Sequence, residues 1–113
     1  MHELPVTESI LEIALRHAAQ AQAKRITDLY LVIGQLSSIV DDSVQFYWDI
    51  LARDTIASGA SLHFNRIPTR MKCQDCNLEY EPKDSELACP ECSSYRIQIV
   101  AGNEFYMDSI EIE

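Results

Sequence analysis

The sequence predicts an α+β fold in which a small β-sheet carries two helices and holds an inserted ribbon. Two stretches repeat apolar residues at helical spacing, and four stretches are β-branched or alternate between apolar and polar residues. All four cysteines lie in one segment between the second and third of these strands. We therefore expect an α+β domain formed by residues 1–68 and 96–113, and an inserted ribbon formed by residues 69–95.

Apolar periodicity predicts two helices. The first covers residues 6–23, after Pro5, a residue that suits a first helical turn. The second begins at Asp41 or Asp42, where Asp42 and Gln45 have the spacing of a capping box. Each helix should bury an apolar stripe in the core. The stripes contain Val6, Ile10, Leu11, Ile13, Ala14, Leu15 and Ala18 in the first helix, and Val44, Phe46, Tyr47, Trp48, Ile50 and Leu51 in the second.

Four segments are expected to form strands. Residues 26–36 are β-branched, aromatic and mostly apolar on both faces, which is typical of a central strand. Residues 60–67 alternate between apolar and polar side chains and end at a proline. Residues 95–101 and 104–113 follow the cysteines and are separated by a Gly-Asn turn.

The cysteines form two C-x-x-C pairs, Cys73 with Cys76 and Cys89 with Cys92, separated by twelve residues. Facing pairs of this kind build a tetrahedral thiolate site, and Asn77 follows the first pair where a positive φ is often needed. The ribbon contains no histidine, so we expect four thiolates around a structural zinc ion. The spacing also fits iron in a rubredoxin-like site or a cluster. Two disulfides are disfavoured because no signal peptide is visible.

The charge and hydropathy of the chain disfavour two classes of partner, nucleic acid and membrane. The chain has 18 acidic and 9 basic side chains, and its formal net charge is −9. Nucleic-acid-binding ribbons usually present a basic face, so this balance disfavours nucleic acid. The sequence has no apolar run long enough to span a membrane. We expect a cytoplasmic protein with neither nucleic acid nor membrane as a partner.

The first residues, Met1, His2 and Glu3, form a second candidate metal site. The His2 imidazole, its own amide nitrogen and a neighbouring backbone nitrogen can chelate one metal in a plane, which favours Ni²⁺ or Cu²⁺ over Zn²⁺. Glu3 can supply an oxygen ligand or a supporting hydrogen bond. Neither a Ser/His/Asp nor a free Cys/His set is visible, so we predict that the protein is not an enzyme.

Five marks give the chain a resemblance to the HypA/HybF family, nickel metallochaperones that help to assemble [NiFe] hydrogenases. One mark is the cysteine framework, and no other mark is specific by itself. Their order along the chain carries the resemblance, which runs from the first residue to the last. The other four marks are Met-His-Glu-Leu at residues 1–4, Ile-Gly-Gln-Leu-Ser at 33–37, Gly-Asn-Glu-Phe at 102–105 and Ser-Ile-Glu-Ile-Glu at 109–113.

The resemblance implies a nickel domain with an inserted zinc domain. It carries the family's nickel ligand over to His2, with backbone nitrogens of His2 and Glu3, and it carries the zinc ligands over to the four cysteines. It implies the GTPase HypB and the hydrogenase large subunit as partners, and urease maturation proteins for some relatives. In some members a carboxylate near the start of the second helix supports the nickel site, and Asp41 and Asp42 lie in that region of this chain. The alternative function is a zinc-ribbon module that binds nucleic acid or protein.

Overall fold

The fold was examined in a computed structural model, which describes residues 3–83 and 88–113. Within these residues the chain forms two helices and six strands. This confirms the predicted α+β class. The elements are α1 (Glu3–Gln20), β1 (Ile26–Gly34), α2 (Asp41–Leu51), β2 (Ser61–Ile67), β3 (Arg70–Cys73), β4 (Glu79–Tyr80), β5 (Ile97–Ala101) and β6 (Phe105–Ile112).

The helix α1 is shifted towards the N-terminus relative to its predicted bounds of 6–23. It begins at Glu3 and ends at Gln20. It ends there because Gln22 adopts a left-handed conformation with φ of 56°. The N–H of Gln22 bonds to the carbonyl of Ala19, and the N–H of Ala23 bonds to the carbonyl of Ala18. These two bonds form a Schellman motif, which satisfies the last carbonyls of the helix.

The core of the helical part combines residues from α1, β1 and α2, and α1 packs directly against α2. Trp48 and Val44 are buried, as the stripe of α2 predicted. The same prediction was wrong for Phe46 and Ile50, which are 61% and 43% exposed. The apolar stripe of α2 is too wide for one side of the helix, so part of it faces solvent. The buried apolar side chains of α1 and β1 are Ile10, Leu11, Ala14, Ala18, Ile26, Leu29, Leu31, Val32 and Ile33.

The first sheet has the strand order β2-β1-β6, so β1 is central, as its apolar composition predicted. Asp28 contacts His63 near the start of β1 and β2, and the N–H of Gln35 bonds to the carbonyl of Ile67 where these strands end. The two strands therefore run in the same direction. Parallel neighbours need a crossover connection, and α2 provides it.

The second sheet has the strand order β4-β3-β5 and is antiparallel throughout. In this sheet Lys72 of β3 lies between Glu79 of β4 and Gln98 of β5. A register shift occurs between Arg70 and Met71. Strand β5 therefore pairs inside the cysteine ribbon and is separate from the first sheet.

The chain divides into two compact units. The first consists of Met1–Val32, Ser38–Asn65 and Tyr106–Glu113, and the second consists of Ile33–Ser37 and Arg66–Phe105. The second unit contains the predicted insertion, residues 69–95, and extends beyond it on both sides. The predicted domain bounds themselves stay a prediction.

Two glycines allow backbone segments of the second unit to approach each other closely. The N–H of Gly34 bonds to the carbonyl of Glu104 at 2.8 Å, and the N–H of Leu36 bonds to the carbonyl of Gly102 at 2.7 Å. A Cβ atom on Gly34 would lie 2.1 Å from the carbonyl oxygen of Gly102. No side chain fits at that distance, so only glycine permits the two segments to touch.

The second glycine has a further neighbour. A Cβ atom on Gly102 would lie 2.7 Å from the Cα of Thr69, and Gly102 has a φ of 108°. Thr69 is buried, and its N–H bonds to Oε1 of Gln35 at 3.1 Å. Residues 33–37 thus hold both the segment that enters the ribbon and the segment that leaves it. We call the cluster of Gly34, Gln35, Thr69 and Gly102 the glycine contact.

A Gly34→Ala substitution should destabilise the second unit by at least about 2 kcal/mol, because the added methyl group forces two backbones apart. Gly59→Ala is the matched control, since nothing lies within 4 Å of its Cβ position and only its φ of 79° opposes the change. Hydrogen exchange at β3 and β5 measures the effect. Equal loss of protection in the two variants would contradict a steric role for Gly34.

Candidate metal centre

The four cysteines converge on one point. Each offers a sulfur, and all four sulfur atoms lie within 4.8 Å of one another. Cys73 and Cys89 are buried, whereas Cys76 and Cys92 are exposed. They are the one group of three or more potential metal ligands found among residues 3–83 and 88–113. The chain therefore has a four-cysteine metal-binding site, built from the two C-x-x-C pairs that the sequence singled out.

Each C-x-x-C pair lies in a turn, and the residue that follows the pair adopts a left-handed backbone conformation. Asn77 and Ser93 have φ values of 63° and 61°, which confirms the positive φ expected after the pairs. The N–H of Asn77 bonds to the carbonyl of Cys73 at 2.9 Å, and the N–H of Ser93 bonds to the carbonyl of Cys89 at the same distance. The two turns share one geometry, so the local backbone presents each pair of sulfurs in the same way.

The backbone of the first turn also acts on the thiol of Cys73. The N–H of Cys76 is the largest influence and, together with the N–H of Asp75, lowers the pKa of Cys73 to about 7 against the opposing effect of burial. A thiolate is the form that binds metal. Four thiolates would complete a tetrahedral shell and leave no open position for a substrate or water. The donor set therefore fits a structural metal ion.

A polar cluster outside the cage joins the two turns, and the sequence analysis missed it. Asp75 of the first turn accepts a hydrogen bond from Arg96 at 2.7 Å and another from the hydroxyl of Ser94. The N–H of Gln74 bonds to the carbonyl of Arg96 at 2.8 Å. These groups are widely spaced along the chain, and no local pattern links them. The ion pair is largely exposed, so it contributes alignment more than stability.

Of the predicted nickel residues, Met1 and His2 lie outside the described residues. Glu3 is buried, with 6% of its surface exposed. Its Oε2 accepts a hydrogen bond from the N–H of Val40 at 3.1 Å. Val40 is the N-cap residue of α2, and its own side chain makes no capping bond. The carboxylate of Glu3 thus satisfies the start of the other helix and complements its dipole.

The predicted capping box of Asp42 and Gln45 was wrong because the N-cap of α2 is Val40 and not an aspartate. The N-cap is Val40, whereas Asp41 and Asp42 are the first two helical residues. Gln45 donates its side-chain amide to Asp49 at 2.9 Å, one turn further along the helix and away from the cap. Asp41 is half-buried and Asp42 is exposed, and both follow directly after the residue that Glu3 holds. Their predicted support of the nickel site stays a prediction.

The two other histidines, His17 and His63, belong to the first unit and are not members of the cysteine cluster. His17 is exposed in the last turn of α1. His63 stacks on Tyr30 with ring centres 4.6 Å apart, and its Nε2 lies 2.8 Å from Oδ1 of Asp28. The hydrogen bond with His63 is the main cause that lowers the pKa of the Asp28 carboxyl. His63 is nevertheless exposed, so the contacts with Tyr30 and Asp28 form on the solvent side of the first sheet.

The fold and the site define a small α+β protein with a four-cysteine metal-binding ribbon. A family model described as "Hydrogenase/urease nickel incorporation, metallochaperone, hypA" matches residues 1–112. The chain belongs to this family. The family consists of metallochaperones and maturation factors and not of enzymes, as predicted. Neither helix in the described part of the chain combines the length and apolar character that crossing a bilayer requires.

Individual relatives agree with the family match. The chain is similar to a hydrogenase maturation factor HypA of Dehalococcoides mccartyi, at 41% identity over 113 residues that cover 100% of this chain and 95% of the relative. A maturation factor HybF of Klebsiella pneumoniae is 36% identical over 100% of both chains. The solution structure of the Ni metallochaperone HypA from Helicobacter pylori matches with a TM-score of 0.67 at 24% identity, covering 99% and 97% of the two chains, which shows the shared fold.

Replacing one sulfur tests the cage. Cys73→Ser should lose the bound metal and the hydrogen-exchange protection of the ribbon, because buried residues there are few and metal binding supplies about 10–16 kcal/mol in comparable zinc units. Amides of β1 should stay protected. Gln74→Ala, an exposed change in the same turn, is the control. Full metal content and protection in Cys73→Ser would refute the four-thiolate assignment.

Proposed function

We propose that this protein binds Ni²⁺ at its N-terminus and delivers it during the maturation of a [NiFe] hydrogenase. The family match begins at residue 1, which includes His2. The supporting observation in the structure is the anchoring of Glu3 by the N–H of Val40. His2 is one peptide bond from this fixed and buried side chain, so the nickel ligands are attached close to folded backbone.

The ligand chemistry follows from the types of donor at the terminus. The imidazole of His2 and the backbone nitrogens of His2 and Glu3 favour planar coordination, which suits Ni²⁺. Met1 completes the terminal segment. The carboxylate of Glu3 is engaged by Val40, so its proposed role is to orient the segment by a hydrogen bond. Nickel is transferable cargo in this proposal, and it remains distinct from the metal of the ribbon.

For the ribbon we propose a structural Zn²⁺ ion held by Cys73, Cys76, Cys89 and Cys92. Soft thiolates in a tetrahedral set select zinc or iron–sulfur chemistry. Zinc carries no redox chemistry and suits a closed site. Its proposed role is to hold the two turns together, since the second unit has few buried apolar side chains among its described residues.

The proposed partners come from the family and from the charge of the surface. The relatives are named as hydrogenase maturation factors, and we propose HypB and the hydrogenase large subunit as partners in the cytoplasm, with urease maturation proteins as a further class. The α1 helix and the N-terminus form the proposed docking face for HypB. The nucleic-acid alternative has no support, because the net charge is −9.

Nickel titration tests the terminal site. His2→Ala should abolish tight Ni²⁺ binding and leave the ribbon metal in place, because it removes the one side-chain nitrogen of the first three residues. Glu3→Gln should weaken nickel binding about 10- to 100-fold, as is typical for the loss of a group that supports a ligand. His17→Ala and His63→Ala are matched controls that remove an imidazole elsewhere. Unchanged stoichiometry and affinity in His2→Ala would exclude the terminal site.

Charge reversal tests the docking face. Arg16 is exposed on α1 and pairs only weakly with Glu12 at 3.6 Å, so Arg16→Glu should weaken HypB binding without loss of folding. Arg53→Glu, just beyond α2, is the control for net charge. Binding is measured by titration calorimetry at low salt. If an N-terminal fusion tag left both binding and nickel transfer intact, the docking face would lie elsewhere.

A further inference from the structure

The sulfur atoms of the cage are paired across the two turns. The Sγ atoms of Cys73 and Cys92 lie 3.5 Å apart, and those of Cys76 and Cys89 lie 3.6 Å apart. Each pair therefore joins the first C-x-x-C to the second. The pairs are nested along the chain, with separations of 19 and 13 residues.

Each of these pairs contains one exposed and one buried cysteine. Cys92 is exposed and its neighbour Cys73 is buried, while Cys76 is exposed and its neighbour Cys89 is buried. In a metal-bound cage all four sulfurs would be thiolates, so accessibility decides the order, and an oxidant that arrives from solvent reaches the exposed sulfur of each pair first. The buried sulfur lies within 3.6 Å of the exposed one and is a nucleophile that can resolve its oxidised form.

We propose that the cage is an oxidation site at which a hydroperoxide forms two disulfides, Cys73–Cys92 and Cys76–Cys89, and thereby expels the metal. The proposal rests on the thiolate zinc site proposed above. Disulfides bind metal poorly because they lack the thiolate charge, so both bridges together leave no ligand set.

The chemistry balances with hydrogen peroxide as the oxidant. An exposed thiolate attacks one peroxide oxygen, the O–O bond breaks, and a sulfenic acid and one hydroxide form. The buried thiolate then attacks the sulfenic sulfur, an S–S bond forms, and a second hydroxide leaves. Two thiolates lose two electrons to each peroxide, so two peroxides convert the whole cage and release Zn²⁺ to solvent.

Cross-turn bridges have a consequence that bridges within a turn lack. They connect the same two chain segments that the metal connects, so the oxidised ribbon keeps its turns together. Bridges within Cys73–Cys76 and Cys89–Cys92 would close only short rings and would let the two turns separate. The oxidised ribbon should therefore remain folded without metal, and reduction should restore a site that is ready to bind metal again.

Peptide mapping distinguishes the two connectivities. Asp75 lies inside the first pair and Glu91 lies inside the second, so cleavage at acidic residues separates the two cysteines of each pair. The full-length protein is treated with two equivalents of hydrogen peroxide, its zinc release is followed with a chromogenic chelator, and unreduced peptides are analysed by mass spectrometry. We expect complete release of zinc and two disulfides, Cys73–Cys92 and Cys76–Cys89. Bridges within a turn, or bridges between molecules, would overturn the proposal.

Trapping the sulfenic acids tests the order of the steps in the unsubstituted, metal-loaded protein, whose ribbon is folded when oxidation begins. Dimedone added together with less than one equivalent of hydrogen peroxide should label the exposed cysteines, Cys76 and Cys92. Predominant labelling of the buried cysteines, Cys73 and Cys89, would overturn the assigned order.

Metal analysis separates this proposal from the zinc assignment. If the purified protein held a metal other than zinc, the zinc assignment would fail by itself. The protein with its native metal would still be oxidised and mapped, and cross-turn bridges there would support the pairing. Bridges within the turns would overturn the pairing, whichever metal had been bound.

Discussion

The close contact of two glycine backbones is the constraint on which the second unit depends. Gly34 and Gly102 approach so closely that a single Cβ atom would lie 2.1 Å from a carbonyl oxygen. This approach lets residues 33–37 bond to the chain both before and after the cysteine ribbon. A ribbon held only by its metal would be free at its base. The glycine contact closes that base with backbone hydrogen bonds, which do not depend on metal occupancy.

A second constraint acts in the first unit, where one carboxylate takes the place of a local cap. Helix α2 begins with Val40, a residue that cannot accept a hydrogen bond through its side chain. Glu3 of the other helix accepts from the N–H of Val40 itself, and burial keeps that carboxylate in place. The start of α1 is thereby fixed to the start of α2. Glu3, the residue after His2, therefore has a structural role in joining the two helices.

The parts that could be predicted from sequence are those with local causes. The spacing of the two C-x-x-C pairs alone predicts a thiolate cage. Asn77 indicates the turn after the first pair, because few residues accept a positive φ. The Glu3–Val40 bond escaped prediction because 37 residues separate its partners. The exposure of Phe46 escaped it because a wide apolar stripe does not tell which of its edges faces solvent. The ion pair between Asp75 and Arg96 was likewise not predictable, because folding brings together two residues that are distant in the sequence.

Charge gives the two units different chemical characters. The first unit carries eleven acidic and four basic side chains, whereas the second carries seven and five. Four thiolates around a divalent ion would add about two negative charges to the second unit. An excess of negative charge raises the local concentration of cations and repels phosphate backbones. The stronger excess lies in the unit that bears the N-terminus, where the proposed nickel site lies. The same field opposes release of a bound cation, so delivery requires a partner site that binds nickel more tightly or a partner contact that distorts the terminal ligands.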